Sequence, residues 1–470
     1  MDEGVIKRYL PWLVATVLFM DRLDSTIVNT CIPAMAAGLH TTPLALKAVV
    51  SSYLLSMAVG IPASGWLAER HGSRRVFLLA VALFTVSSLL CGLAVNPAML
   101  VAARVPQGIA AAMMIPVGRM AIVSTFPKAE LLSAMNFVII PALIGPLLGP
   151  TLGGLIVQFH SWRDVFFINL PVGLAALWFG HRYMPDYRGD TPRPFDLRGF
   201  VLFAGGAALL SWVLEIFGQH ELGAASIALA LVLSLALLAG YGLHAARVKH
   251  PLLRLSLFKT RTFKVAVLGG FATRLGVGGM PFLLPLLYQV GMGLPAWQSG
   301  LLMMPTAVGA IGMKVISRRM LKRFGFRNVL VVNTVLIGAV ISAWSLVGPG
   351  TPLALIVAFG LLLGLFNSLQ FSSMNAMAYA DIDKPDAAAA STLASTMQQM
   401  SMSFGLACGS LLTGFYLSDP AQGNALAVTS ALHHAFLTLA ALTLASSLSF
   451  WALEPRDGES VSKGLASPAQ

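Results

Sequence analysis

Charged residues are scarce in this sequence. They make up 11% of its 470 residues, whereas 57% are hydrophobic, and an ordinary soluble domain is about a quarter charged. No soluble core could bury that much apolar surface, so the composition excludes a soluble protein and predicts an all-α integral membrane protein. Each crossing of a bilayer core about 30 Å thick needs roughly 20 apolar residues. The chain therefore has room for a dozen or more crossings and for no separate catalytic domain.

Cysteines and clustered histidines are also scarce. Cys31, Cys91 and Cys408 lie within or at the edge of apolar stretches and lack metal-ligand spacing, so we expect neither a disulfide nor a metal site. His433 and His434 are adjacent and therefore point to different faces of a helix. We find no candidate enzyme site and expect no cofactor. The loops do not exceed about twenty residues, which argues against the soluble domain of a receptor.

Fourteen apolar stretches are separated by charged residues or by Pro and Gly. They lie near residues 10–33, 46–67, 76–95, 98–125, 131–157, 165–184, 199–217, 224–246, 264–290, 298–317, 329–348, 353–379, 388–417 and 431–452. Lys7 and Arg8 precede the first stretch, as they would in a signal peptide. That stretch is nevertheless too long for a signal peptide and contains Asp21, Arg22 and Asp24, so we interpret it as the first span.

The Lys and Arg residues predict the orientation, because positively charged loops stay in the cytoplasm. With a cytoplasmic N-terminus, 24 of the 31 Lys and Arg lie in cytoplasmic segments. The other seven lie in spans or near outer loops: Arg22, Lys47, Arg104, Arg119, Arg163, Arg274 and Lys314. This asymmetry predicts that both termini are cytoplasmic. It also explains the net charge of +12 by membrane topology, so we expect a lipid bilayer and no nucleic acid as partner.

Two longer cytoplasmic connections, 185–198 and 247–263, lie on either side of the seventh and eighth stretches. Many transporters consist of two six-helix halves with a substrate site near the midplane. The layout here predicts an N-terminal six-helix half at 1–184, two inserted helices with linkers at 185–263, a C-terminal six-helix half at 264–453 and a cytoplasmic tail at 454–470.

The turn between the second and third stretches combines glycines, an acid and arginines: Gly65, Glu69, Arg70, Gly72 and Arg74. Glycines let helices approach closely, and charges at helix ends can form a gating latch. The turn resembles the loop signature of the major facilitator superfamily, with Glu69 in place of the usual Asp and Ser73 in place of a basic residue. The corresponding turn of the second half keeps Gly325 and Arg327 but has Lys322 where the acid would lie.

The fifth stretch is rich in glycine and proline, with Gly145, Gly149, Pro150, Gly153 and Gly154 among them. Such a helix is kinked and narrow enough to pack tightly against a neighbour, which suits a hinge or seal. The pattern resembles the signature of exporters in the same superfamily. It argues against an uptake symporter, which is the alternative direction of transport.

Two further motifs, Asp24–Asn29 and Arg104–Gly108, resemble the 14-span drug:proton antiporters of the EmrB and QacA type. Four more stretches resemble one member of that branch: 116–119, 274–281, 300–314 and 371–375. The resemblance covers nearly the whole chain. It implies a major facilitator fold of 14 transmembrane helices and proton-coupled multidrug efflux.

Charges within the first and fourth stretches are candidates for proton coupling. Asp24 and Arg104 lie at similar depth, where an unpaired charge would cost several kcal/mol, so we expect them to face each other or one cavity. A carboxyl beside a guanidinium can exchange a proton against substrate. Asp24 is the first candidate for the proton carrier, and Asp21, on the same helix face, is the second. A structural ion pair with Arg22 or Arg104 is the alternative.

Other polar residues in the spans are candidates for substrate binding. Arg119 and Arg274 have no obvious acidic partner, which suggests a negatively charged ligand, although Arg119 could also extend to the membrane surface. The complete candidate set is Arg22, Arg119, Arg274, Gln107, Gln289, Gln370 and Asn375. The amides in this set are equally suited to hydrogen bonds between helices.

Together these features predict a monomeric, proton-coupled antiporter of the bacterial inner membrane that exports small molecules by alternating access. The family resemblance implies lipophilic, often cationic drugs as cargo. The candidate helices carry four arginines (Arg22, Arg104, Arg119 and Arg274) and only two aspartates (Asp21 and Asp24). The alternative cargo is therefore an anionic metabolite, such as an organic acid or its metal chelate.

Overall fold

The computed structural model describes residues 3–188, 194–216, 224–383, 386–417 and 424–458. These residues contain no strand and form fourteen successive long helical elements, with a short 3-10 turn at Leu255–Lys259. In chain order the helices are α1 (Glu3–Gly38), α2 (Leu44–His71), α3 (Ser73–Gly92), α4 (Pro97–Thr125), α5 (Lys128–Phe159), α6 (Asp164–Tyr183), α7 (Leu197–Ile216), α8 (Ala224–Arg247), α9 (Arg261–Gly291), α10 (Ala296–Phe324), α11 (Phe326–Leu346), α12 (Leu353–Ala378), α13 (Ala387–Tyr416) and α14 (Ala425–Phe450). The predicted all-helical class is confirmed.

Eleven of these helices are long and apolar enough to cross a membrane, which agrees with the multi-pass prediction. The other three are α1, α5 and α13. Helix α1 carries Asp21, Arg22 and Asp24 near its middle, and α13 is rich in Ser, Thr and Gln. In α5 the apolar stretch found among the described residues, Leu143–Phe159, is shorter. Fourteen crossings remain a prediction.

The chain divides into two compact units. The first comprises Met1–Ala208 and Pro295–Gly300, and the second comprises Leu209–Leu294 and Leu301–Gln470. In the first unit α1 packs along α5, α2 along α4, and α3 against α4 and α6. In the second, α9 packs against α13 and α14, and α11 against α12 and α14. The predicted domain boundaries stay predictions, and residues 189–193, 217–223 and 459–470 lie outside the described residues.

The interior of the first unit explains how α1 tolerates charge. Apolar side chains such as Val17, Phe77 and Met114 form a buried cluster between the helices. Asp21 and Asp24 are each only 1% exposed, so both side chains are buried among protein side chains. A charge inside a helical bundle can meet polar partners that the hydrocarbon would not provide.

Single glycines join two pairs of consecutive helices. Gly72 connects α2 to α3 with φ 93°, and Gly325 connects α10 to α11 with φ 74°. Residues other than glycine are strained at such φ angles. The structure therefore gives the two turns the same backbone role, as expected from the partial repeat in the sequence.

Helix α9 is irregular in a way that the sequence did not predict. It contains two π-helical turns, Val265–Gly269 and Leu287–Gly291, and is interrupted between Val277 and Met280. Turns of this kind occur frequently at functional sites. Arg274 lies between the two π-helical turns.

Candidate functional site

Asp24 and Arg104 form a buried ion pair at the centre of the first unit. The Arg104 Nη1 donates to Asp24 Oδ2 at 2.6 Å, and both side chains are fully inaccessible. Arg104 Nε also donates to the backbone oxygen of Val49 at 3.1 Å. The expectation that Asp24 and Arg104 face each other is confirmed.

Amides from α4 and α6 complete the surroundings of Asp24. Gln107 Nε2 and Asn169 Nδ2 donate to Asp24 Oδ1 at 3.1 and 2.8 Å. Both amides also donate to Ser88 Oγ, at 2.8 and 3.0 Å, while Gln107 Oε1 accepts from Arg104 Nη1 at 2.8 Å. Asp24 therefore accepts three hydrogen bonds. Gln107, which the sequence suggests as a substrate ligand, lies inside this network, and Asn169 and Ser88 were not predicted.

Asp21 has very different surroundings, although it is equally buried. The Tyr53 hydroxyl donates to Asp21 Oδ1 at 2.6 Å, whereas Oδ2 has no hydrogen-bond partner among the residues that the structure describes. Arg22 Nε lies 3.6 Å from Oδ2, and the Arg22 side chain is 35% exposed. The Arg104 guanidinium lies 4.2 Å from the centre of the Tyr53 ring, close enough for a cation–π contact. Tyr53 thus contacts both Asp21 and the ion pair.

The glycines of α5 allow close packing against α1 beside these aspartates. A Cβ at Gly145 would lie 2.8 Å from Arg22 Cβ, and one at Gly153 would lie 2.7 Å from the Ile27 oxygen. The Cβ position of Gly149 is occupied by the Thr26 hydroxyl. These glycines recur every four residues, so they form one face of α5.

Gly154 and Pro150 contact a different part of the first unit, the segment Pro295–Gly300. The Cβ position of Gly154 is filled by the Ala296 backbone, and that of Gly300 by the Pro150 backbone. The predicted role of α5 as a hinge or seal stays a prediction, but its tight packing is confirmed.

The turn after α2 contacts the segment that follows α6. Ser73 N donates to the Tyr187 oxygen at 2.9 Å, and Ser73 Oγ to the Pro185 oxygen at 3.0 Å. The Asp186 carboxylate accepts from Arg74 N at 3.3 Å and occupies the space that a Cβ at Gly72 would need. An acid at this point satisfies a backbone N–H at the start of α3.

The remaining residues of the predicted latch make fewer contacts. Glu69 is exposed and has no ion pair among the described residues. The Arg70 guanidinium lies 5.4 Å from the centre of the Trp66 ring, the Arg74 side chain donates to the His181 oxygen, and Gly65 has open space around its Cβ position. The acid that contacts the turn is thus Asp186, from a part of the chain that the loop signature does not include.

Arg274 and Asn375 line a recess in the second unit, together with Ala266, Val267, Met374, Ala378, Ala394, Met397 and Gln398. We call this set the Arg274 recess.

Gln370, by contrast, accepts from Asn333 Nδ2 at 2.8 Å and donates to Thr334 Oγ1 at 2.7 Å, so it connects α12 to α11. Arg119 is exposed on α4, and Gln289 is partly buried in the second π-helical turn of α9. No His, Cys, Asp or Glu cluster suited to a metal ion occurs in the part of the chain that the structure describes.

Comparisons with known proteins agree with this architecture. The sequence profile of the Major Facilitator Superfamily matches residues 14–406. A protein of Serratia proteamaculans (strain 568) named "Putative multidrug resistance protein MdtD" is 41% identical over 439 residues, which cover 93% of this chain and 92% of that protein. A protein of the same name from Pectobacterium atrosepticum is 40% identical over 442 residues, covering 93% of each chain. MdtD is also the member that the four short stretches resemble.

The solved structures give the same fold. The crystal structure of a bacterial homologue of the human lysosomal transporter Spinster, inward-facing and unoccupied, matches with a TM-score of 0.70 at 13% identity, covering 99% of both chains. At that identity the likeness concerns the fold alone. The profile match and the two relatives decide the family: this chain is a multi-pass membrane transporter that belongs to the major facilitator superfamily.

Proposed function

We propose that this chain is a proton-driven antiporter that exports small molecules by alternating access. The observation that carries the proposal is the pair of buried carboxyls on α1, Asp21 and Asp24, in contact with one buried tyrosine–arginine pair. Ionisable residues inside a transmembrane bundle are energetically expensive, and in transporters they commonly bind or relay protons. The names of the relatives, which refer to multidrug resistance, support lipophilic drugs as cargo.

The direction and the location of transport belong to the same proposal. The glycine-rich α5 resembles that of exporters, and its close packing beside Asp21 and Asp24 supports a role in the conformational change. The bacterial relatives and the distribution of Lys and Arg support the bacterial inner membrane with both termini in the cytoplasm. We propose a monomer and no cofactor, with the proton gradient as the energy source.

Asp24 is proposed as the structural counter-ion of Arg104. Its carboxylate accepts three hydrogen bonds, one of them from the buried Arg104 guanidinium. Protonating Asp24 would remove the counter-ion of Arg104 and leave a buried positive charge uncompensated, which is strongly unfavourable. The contacts therefore favour the structural alternative for Asp24 over its role as first candidate for the proton carrier.

Asp21 is proposed as the proton carrier. One of its carboxylate oxygens accepts from Tyr53, and the other has no hydrogen-bond partner in the described part of the chain. Protonating this oxygen removes a buried charge and adds a donor, while Arg22 is exposed enough to be hydrated without Asp21. Binding and release of a proton at Asp21 would change the charge beside Tyr53, and with it the position of the Arg104–Asp24 pair.

Proteoliposomes with an imposed pH gradient test the proposal. The protein would carry Asp21→Asn or Asp24→Asn, with ethidium as a cationic probe and an internal pH dye as the readout of proton flux. We expect Asp21→Asn to lose gradient-driven ethidium transport and the linked proton flux. The same variant should keep ethidium counterflow, an exchange that requires no change of protonation.

Asp383→Asn is the matched control, because it removes an exposed carboxylate after α12 and should leave both assays unchanged. Asp24→Asn should lose both activities, since the buried guanidinium is left without its partner. Gradient-driven transport at the wild-type rate in Asp21→Asn would exclude Asp21 as the proton carrier. Absence of any proton flux linked to ethidium transport in the wild type would overturn the proposed antiport.

A further inference from the structure

Arg274 is a buried cation without a counter-ion among the described residues. The residue lies on α9 and is only 8% exposed, and its Nε has no hydrogen-bond partner within the described ranges. Its guanidinium lies 5.0 Å from the centre of the Phe371 ring. A cation–π contact offsets only part of the cost of burying a guanidinium. The side chain is therefore available to an anion that the described residues do not supply.

The position of the guanidinium depends on a glycine one turn earlier. Arg274 Nη1 and Met374 Sδ each lie 2.8 Å from the place where a Cβ at Gly270 would be. Any larger residue at 270 would displace one or both of them. The absence of a side chain at this position thus makes room for Arg274 beside α12.

The Arg274 recess has a mixed chemistry. One cation and two amides, from Asn375 and Gln398, provide hydrogen-bond donors, while thioethers, Ala and Val form the rest of the lining. Guanidinium binds a carboxylate through two parallel hydrogen bonds, and amides can donate to the same group. Methionine side chains adapt to apolar ligands of varied shape.

We propose that the Arg274 recess binds the carboxylate of an amphipathic organic anion, whose apolar or aromatic body contacts the Met, Ala and Val side chains at the recess. One guanidinium compensates one negative charge, and a second carboxylate would be buried without a partner. Lipophilic cations would be repelled by Arg274, so this recess would select a different class of compound. That such anions are cargo rests on the proposed export function, whereas their binding to the recess does not.

Equilibrium binding to the purified full-length protein in detergent tests this inference. The probes are 1-naphthoate and its neutral counterpart 1-naphthamide, which have closely similar shapes and differ in charge. We expect the wild type to prefer naphthoate by about tenfold or more, because the charged hydrogen bonds are lost with the amide. Arg274→Gln should remove this preference. Lys314→Gln is the matched control, since it also removes one positive charge from a helix of the second unit but lies at an exposed position.

Two further variants distinguish the loss of the binding site from misfolding of the protein. Arg274→Lys keeps the charge but not the planar donor pair, so a partial preference for naphthoate should remain. Gly270→Ala keeps Arg274 itself and should weaken naphthoate binding about tenfold while changing naphthamide binding little, because it displaces the guanidinium. Size-exclusion profiles identify any variant that has lost its fold.

Equal affinity of the wild type for the two probes, or an unchanged preference in folded Arg274→Gln, would overturn the inference. Because binding requires no gradient, this experiment tests the Arg274 recess independently of proton-driven export. Naphthoate that binds at Arg274 but does not move under the pH gradient would overturn its role as cargo. Loss of ethidium transport in Asp21→Asn would not change the conclusion about naphthoate binding at Arg274.

Discussion

Asp21 and Asp24 lie three residues apart on one helix face, yet their hydrogen bonds differ. Asp24 accepts three hydrogen bonds, including one from a guanidinium, and Asp21 accepts one, from a hydroxyl. Burial is the same for both, so the partners alone distinguish them. This difference is the physical basis for proposing a structural charge at Asp24 and an exchangeable proton at Asp21.

The Asp24–Arg104 pair leads to a stability prediction. Asp24→Asn should lower the free energy of unfolding by about 3–5 kcal/mol, because it leaves the Arg104 charge buried without a counter-ion. The double variant Asp24→Asn with Arg104→Gln should recover most of the loss, since it removes both charges. A thiol-reactive dye can follow thermal unfolding through the buried Cys31 and Cys91. An unfolding temperature for the double variant no higher than that of Asp24→Asn would contradict this account.

The sequence predicted part of this cluster. Asp24 and Arg104 could be paired because both are charged and lie at similar depth, where each requires a partner. Tyr53, Ser88 and Asn169 could not be assigned, because polar side chains that carry no charge are common in spans. Which of them meet depends on the rotation of helices from distant parts of the chain.

At the scale of elements, the glycine face of α5 determines how closely α1 is packed. Three glycines at intervals of four residues contact successive turns of α1, from Arg22 to Cys31. Close approach of helices through small residues is a common means of association in membranes. The sequence predicted a narrow helix here, but not that α1 is the partner.

A glycine substitution on this face tests its role. Gly149→Ala should destabilise the protein by about 1–3 kcal/mol, because the new Cβ collides with the Thr26 side chain and lies near the Ile27 backbone. Gly65→Ala is the matched control within α2, where no described residue from another helix lies within 4 Å of the Cβ position. The control should be neutral or slightly stabilising, since alanine favours helix by about 1 kcal/mol over glycine. Equal unfolding temperatures of the two variants would refute the packing role.

Helix α9 has irregularities that the hydrophobic pattern of the sequence could not predict. Its apolar composition predicts a regular span, whereas the structure contains two π-helical turns and an interruption at Gly278 and Gly279. Gly278 lies against the Arg274 oxygen and Gly405 of α13. A local change from α-helical to π-helical hydrogen bonds depends on the packing of neighbouring helices and has no characteristic amino-acid composition.

At the scale of the whole molecule, the number of crossings and the positions of the charges determine topology. An even number of crossings would put both termini on one side, and the basic loops predict that this side is cytoplasmic. A C-terminal fluorescent protein should therefore fluoresce, and a C-terminal alkaline phosphatase should be inactive, because its disulfides form only in an oxidising compartment.

A fusion truncated at Gly350 is the control for this topology. Gly350 is exposed in the turn between α11 and α12, which the topology assigns to the outer side. Phosphatase fused there should be active. Activity of the C-terminal phosphatase fusion would contradict a cytoplasmic C-terminus and, if the N-terminus is cytoplasmic, also an even number of crossings.

The sequence by itself determined the membrane class, the helical elements, the superfamily and the few charged residues that require an explanation. It could do so because a bilayer core requires long apolar helices and makes each internal charge costly. Only the tertiary structure decided that Asp24 accepts three hydrogen bonds, that Asp21 accepts one, that α5 packs on α1, and that Arg274 lines a recess. These features depend on contacts between distant helices, and the rotation and packing that produce them are properties of no single segment.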